Sequence, residues 1–114
     1  RTTIEIWAKD VDQGKVRLTL GDLGFRVAER NGKVKELATN SLWFGSATDI
    51  ADVKLVALAL MRAGVKLRAI RPIQREIESR RDLALIQVGA DTSMVGKAPY
   101  TVEQLLAQPA FKRD

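Results

Sequence analysis

The stretch "NSLWFGSATDIADVKLVALALMRAG", residues 40–64, opens like a buried strand and closes like a buried helix. Leu42 and Phe44 alternate with Ser41 and Trp43, the period of two that gives a strand two unlike faces. "SATD" then supplies Ser46, Thr48 and Asp49 as candidate helix caps. Ile50, Val53, Val56, Ala57 and Leu60 recur at helical spacing and make one apolar stripe. Gly64 is placed to end the helix in a left-handed conformation. If that helix covers the face of Leu42 and Phe44, Trp43 points away from it.

The same order occurs upstream. "TTIEIWAK" (2–9) alternates, with Ile4, Ile6 and Ala8 on one side and Thr3, Glu5, Trp7 and Lys9 on the other. Val16, Leu20 and Leu23 follow at helical spacing, Gly14 delays the helix start, and Gly24 closes it. "FRVAER" (25–30) alternates again, with Phe25 and Val27 inward and Arg26, Ala28 and Arg30 outward. Val16, Leu20, Gly24, Phe25 and Val27 match Val56, Leu60, Gly64, Val65 and Leu67 at identical spacing. Two strand–helix–Gly–strand halves in series predict an α+β domain of ferredoxin-like type. That fold is a βαββαβ antiparallel sheet with both helices on one face and the first and third strands central. In this reading Val65, Leu67 and Ala69 point inward and Lys66, Arg68 and Ile70 outward. Pro72 marks the end of a ladder or a sheet edge.

Residues 1–72 are expected to form this core and residues 73–114 an extension of the same single domain. "NGK" (31–33) is a turn signal, and the polar residues to Thr39 read as loop. "QREIESRRD" (74–82) is a polar connector, and "LALIQVG" (83–89) is a fifth strand, placed as a hairpin partner of the fourth. "TVEQLLAQ" (101–108) is a short helix with a capping box, Thr101 with Gln104, and Tyr100 and Leu105 stand at staple positions.

Composition narrows the chemistry. The chain has 114 residues, with 46% hydrophobic and 29% charged, so a real core is expected without disulfide or metal staples. Cysteine and histidine are both absent, which removes thiolate chemistry, the commonest general base and the commonest metal ligand. No nucleophilic triad can be assembled, and Ser–Lys pairs stand in no motif. Asp49 and Asp52 open a helix, where the dipole favours negative charge, so they do not read as metal ligands. "VGADTSMVGKAP" (88–99) has the residues of an anion-holding loop and reads first as a connection. Glu76 and Glu78 stand in the polar connector. No catalytic residue, metal or cofactor is expected, and the chain reads as a non-enzyme. No apolar run approaches the ~18–20 residues of a membrane span. The chain begins at Arg1, which suggests a domain excised from a longer protein.

The net charge of +5 is concentrated between Arg62 and Arg81. Trp7 and Trp43 share the outward face, and Lys9, Arg26, Arg30, Lys66 and Arg68 are expected around them. Five residues form the candidate ligand or partner surface: Trp7, Trp43, Arg26, Lys66 and Arg68. Aromatic rings framed by cations suit a single-stranded nucleic acid, whose bases stack and whose phosphates meet the cations. The same rings suit a glycan, an anionic polymer or a protein partner. The C-terminal segment, with Leu105, Leu106 and Phe111, is an alternative cover for them.

The runs "TTIEIWAKD…LGDLGFRV" and "TNSLWFG…DVKLVALALMRAGVKLRAIRP" together resemble small bacterial accessory domains. Their pattern is similar to the C-terminal domains of LytR-type envelope proteins and to sporulation-related repeat domains, over about residues 2–70. The resemblance implies a non-catalytic module of a larger bacterial protein. In the sporulation-related family it further implies glycan binding on the sheet face, here the face of Trp7 and Trp43.

Overall fold

The computed structural model describes residues 2–31, 36–74 and 83–108. The elements are β1 (Thr3–Ala8), α1 (Lys15–Gly21), β2 (Arg26–Asn31), β3 (Ser41–Phe44), α2 (Ile50–Arg62), β4 (Ala69–Pro72), β5 (Leu85–Gly89) and α3 (Val102–Ala107). The polar connector, with Arg75, Glu76, Glu78, Arg80 and Arg81, lies outside the described residues, as do Phe111 and most of the "NGK" turn.

The protein is a mixed α and β fold on a five-stranded sheet in the order β2-β1-β5-β3-β4. This is not the ferredoxin-like order. Each strand–helix–strand half closes on itself: β1 pairs with β2 in parallel, and β3 pairs with β4 in parallel. In a ferredoxin-like sheet each half would be split, and all neighbours would run antiparallel. Here the two halves lie side by side and β5 enters between them, parallel to β1 and antiparallel to β3. The fifth strand is therefore central, not an outer hairpin partner of β4. Its burial explains the placement. Leu85, Ile86, Val88 and Gly89 are all buried, as suits a strand paired along both edges, with Ile86 and Val88 under the helices. The outer strands carry edge signatures instead. β2 has Arg26, Glu29 and Arg30, and β4 ends at Pro72, which cannot donate to a further ladder.

One core lies on the helix side. Ile4, Ile6, Leu42, Phe44, Ile70, Ile86 and Val88 face Val16 and Leu20 of α1 and Val53, Val56, Ala57 and Leu60 of α2. Asp49 caps α2 by accepting from the Ala51 N–H at 3.0 Å, and Asp52 stands in the first turn, where it accepts from the Thr2 hydroxyl at 2.6 Å. The C-terminus of α2 is a Schellman turn: Val65 N–H donates to the Leu60 carbonyl at 2.9 Å and Gly64 N–H to Met61 at 3.1 Å. Gly64 takes φ of 96°, which costs a side-chain-bearing residue strain. The helix α3 carries the expected capping box between Thr101 and Gln104. Its Leu105 is fully buried in the same core, and Tyr100 packs against that core. The helix thus lies on the side of α1 and α2 and leaves the tryptophan face to other neighbours.

The second half departs from the first after its glycine. β2 starts two residues beyond Gly24, but β4 starts five beyond Gly64. Residues 65–68 run as irregular chain, in which the Arg68 N–H donates to Asn40 at 2.7 Å and the Leu67 carbonyl accepts from Tyr100 at 2.7 Å. The phase of β4 is consequently opposite to the expected one. Ile70 pairs with Leu42 on the core side, and Arg71 pairs with Trp43.

Candidate functional site

The register places one set of side chains on the sheet face away from the helices. One row runs Ala28, Glu5, Gln87, Trp43, Arg71 across the five strands. The next row runs Arg30, Trp7, Gly89, Ser41, Ala69: Trp7 pairs with Arg30, and Ser41 pairs with both Gly89 and Ala69. Trp7 and Trp43 therefore share a face, as the alternation requires, but they are not on adjacent strands. β5 separates them, and both approach Gly89. A Cβ at Gly89 would stand 3.4 Å from Cε3 of Trp7 and 3.7 Å from Cζ3 of Trp43. Both indoles lean over the one site in that row of β5 with no side chain. Each remains half-buried.

A polar cluster lies in the neighbouring row. Glu5 is only 3% exposed. Its Oε2 accepts from Arg30 Nε at 3.3 Å and Nη2 at 3.0 Å, and its Oε1 accepts from Gln87 Nε2 at 3.1 Å. A buried carboxylate is tolerable because these charge-assisted bonds replace water. On the other side the Arg71 guanidinium lies 5.8 Å from the centre of the Trp43 ring and pairs with Asp91. The Nε of Arg71 is buried and has no hydrogen-bond partner among the described residues. Asp91 also accepts from the Ser93 N–H at 2.9 Å and hydroxyl at 2.7 Å, which caps a 3₁₀ turn at Thr92–Met94. The Ser93 hydroxyl first, then the Ser93 N–H and Arg71, hold the Asp91 carboxyl below the usual carboxylate range against the opposing effect of burial. The side chain of Asn40 clamps the same loop, accepting from Asp91 N–H at 2.8 Å and donating to its carbonyl at 3.1 Å.

Of the five residues expected at the surface, Trp7 and Trp43 come together. Arg26 sits on the same face at the start of the edge strand, paired with Thr3, four residues before the row of Trp7 and Arg30. Lys66 and Arg68 precede β4 and line a separate cleft. The register puts Arg30, expected on this face, beside Trp7, and Arg71, not expected there, beside Trp43. Glu5, Gln87, Gly89 and Asp91 complete the site: Glu5 is on the outward face that the alternation gives it, and Gly89 and Asp91 belong to the loop stretch 88–99, but the sequence places none of the four beside both indoles. Glu5 was legible in principle, two residues before Trp7 on an alternating strand. Arg71 would have followed from phasing β4 back from Pro72. Gly89 had no signal while β5 was placed at an edge.

Lys9, just beyond β1, is buried, and desolvation holds its pKa below the usual value against the opposing charge of Asp12. It lines a cleft beside Trp7 with Asp10, Arg17 and Glu29. Among the described residues no group of three or more acidic side chains is arranged to hold a metal. No helix among them is long and apolar enough to cross a membrane. Compared with protein-family models, curated proteins and solved structures, the chain matches none.

Proposed function

We propose that this chain is a non-catalytic binding module of a larger bacterial protein, and that it takes its ligand on the sheet face at Trp7 and Trp43. The observation that carries the reading is the convergence of both indoles over Gly89, beside the Glu5–Arg30–Gln87 cluster. Two aromatic faces beside fixed hydrogen-bonding groups match a ligand that is flat, apolar on one side and polar at its rim, such as a sugar ring of a glycan. The resemblance supplies the bacterial assignment, and its sporulation-related part implies that ligand class, although no glycan-reading motif of that family carries over to this chain.

The second reading is a single-stranded nucleic acid platform, favoured by Arg30 and Arg71 on either side of the ring pair. Both guanidiniums are already bound to carboxylates, Glu5 and Asp91, so less of their charge is open to phosphates. That balance favours the glycan.

Titrating tryptophan fluorescence with oligosaccharides and with single-stranded oligonucleotides, at low and high salt, separates the readings. The glycan reading expects a saturable, salt-insensitive response, weakened roughly tenfold by Trp7→Ala or Trp43→Ala. Quenching by oligonucleotide that falls steeply with salt transfers the assignment to nucleic acid. Silence with both probes sinks both ligand classes and leaves a protein partner.

A further inference from the structure

A second cleft lies away from the indoles, between the start of α1, the end of α2 and the chain leading into β3. Its volume is about 310 Å³, at the lower end for small-molecule sites. Lys15 from α1, Lys66 from the irregular chain after α2, and Arg68 before β4 all line it. Val11 and Val95, respectively 45% and 62% exposed, give it apolar walls.

The charges of this cleft are not balanced from within. Among the described residues the one carboxylate lining it is Asp12, a single negative charge against three positive ones, and its oxygens are held by Thr39: Oδ1 accepts from the Thr39 N–H at 3.0 Å and Oδ2 from the Thr39 hydroxyl at 2.6 Å. Among the described residues neither Lys15 nor Lys66 has an ion-pair partner. Arg68 donates to the Lys97 carbonyl, which fixes the arginine but leaves its charge unneutralised. The Lys15 ammonium lies 3.5 Å from the position a Cβ would take at Gly64, which places it against the end of α2.

We propose that this cleft binds a small organic phosphate monoester, the phosphate meeting Lys15, Lys66 and Arg68 and the organic part resting on Val11 and Val95. Three cations from separate segments line one cleft and favour a dianion there, whereas a neutral ligand gains nothing from their charge. The apolar walls add a preference for an ester over the free ion. The site is independent of the tryptophan face.

Amide chemical-shift titration of the ¹⁵N-labelled chain tests this with phenyl phosphate, inorganic phosphate and phenol as probes. Phenyl phosphate is expected to shift Lys15, Thr39, Gly64, Lys66 and Arg68 together and saturably, with inorganic phosphate weaker and phenol inert. Lys15→Gln and Lys66→Gln each replace an exposed side chain and should leave the dispersed spectrum intact. Each should weaken phenyl phosphate about tenfold. Three results overturn the proposal: no saturable shifts at these residues, equal binding of phenol, or unchanged affinity in both folded variants.

Discussion

Substituting Gly89 tests the geometry of the tryptophan pair most directly. A Cβ built there meets Trp7 Cε3 at 3.4 Å, Trp43 Cζ3 at 3.7 Å and Trp7 Cδ2 at 4.0 Å. Those are contact distances for carbon atoms, so Gly89→Ala should fit without moving either ring. The backbone of Gly89 is not in the left-handed region, and alanine also restricts the unfolded chain. Gly89→Ala is therefore expected to be neutral or to stabilise by up to about 1 kcal/mol. Gly89→Leu is different. Its three atoms beyond Cβ must enter space that two indoles already border, and such overpacking costs roughly 1–3 kcal/mol. Urea unfolding followed by far-ultraviolet circular dichroism measures both variants without relying on the probes being perturbed. Near-ultraviolet dichroism and the emission maximum then report whether the rings have parted. The contrast between the two variants carries the test. If Gly89→Leu keeps wild-type stability and wild-type aromatic spectra, the indoles do not flank Gly89 and the proposed ligand surface fails with them.

Three further outcomes are expected. Asp12→Ala strips Thr39 of both partners at a buried position and should cost about 1–3 kcal/mol in urea unfolding; a loss below about 0.5 kcal/mol would refute that bond pair's importance. Lys9 has a lowered pKa, so its folded form binds protons less readily than its unfolded form. Wild type should gain stability relative to Lys9→Met as pH rises from the lowered folded pKa towards the unfolded value of about 10.4, and a gap independent of pH up to there would contradict the burial of the ammonium. Asp91 has a depressed pKa, so its contribution is full above the unfolded value of about 3.9 and fades as pH falls through the folded one. The thermal midpoints of wild type and Asp91→Asn should therefore converge in acid, and curves that stay parallel would remove the carboxylate from the loop clamp.

Strand phase was legible wherever one face is apolar and the other is not. Ile4 and Ile6, Phe25 and Val27, and Leu42 and Phe44 each assign a core side, and all six lie in or against the core. The direction of Trp7 and Trp43 follows from those pairs alone. The same logic failed after Gly64, because Val65 and Leu67 are buried without being in a strand. Burial there comes from the Schellman turn and from the contact of Leu67 with Tyr100, and alternation cannot tell that from a ladder. Lys66 and Arg68 were assigned to the indole face through this error of phase. Arg30 stands beside Trp7 as the alternation of β2 expects, while Arg71 comes beside Trp43 because β4 takes the opposite phase.

The location of β5 is the larger omission, and its cause is physical. Two self-contained strand–helix–strand halves, set in opposite directions with their helices on one side, present β1 and β3 to each other as unpaired edges. Exposed edges of that kind demand a partner. A strand parallel to one and antiparallel to the other satisfies both, and β5 does this while burying Ile86 and Val88 under the helices. Thr48 reinforces the join, its hydroxyl donating to the Leu85 carbonyl at 2.9 Å and accepting from the Leu85 N–H at 3.0 Å. The repeat alone therefore supplies two tryptophans a strand's width too far apart, on halves with nothing between them. The strand from outside the repeat completes the sheet, and its glycine brings the two rings into one surface.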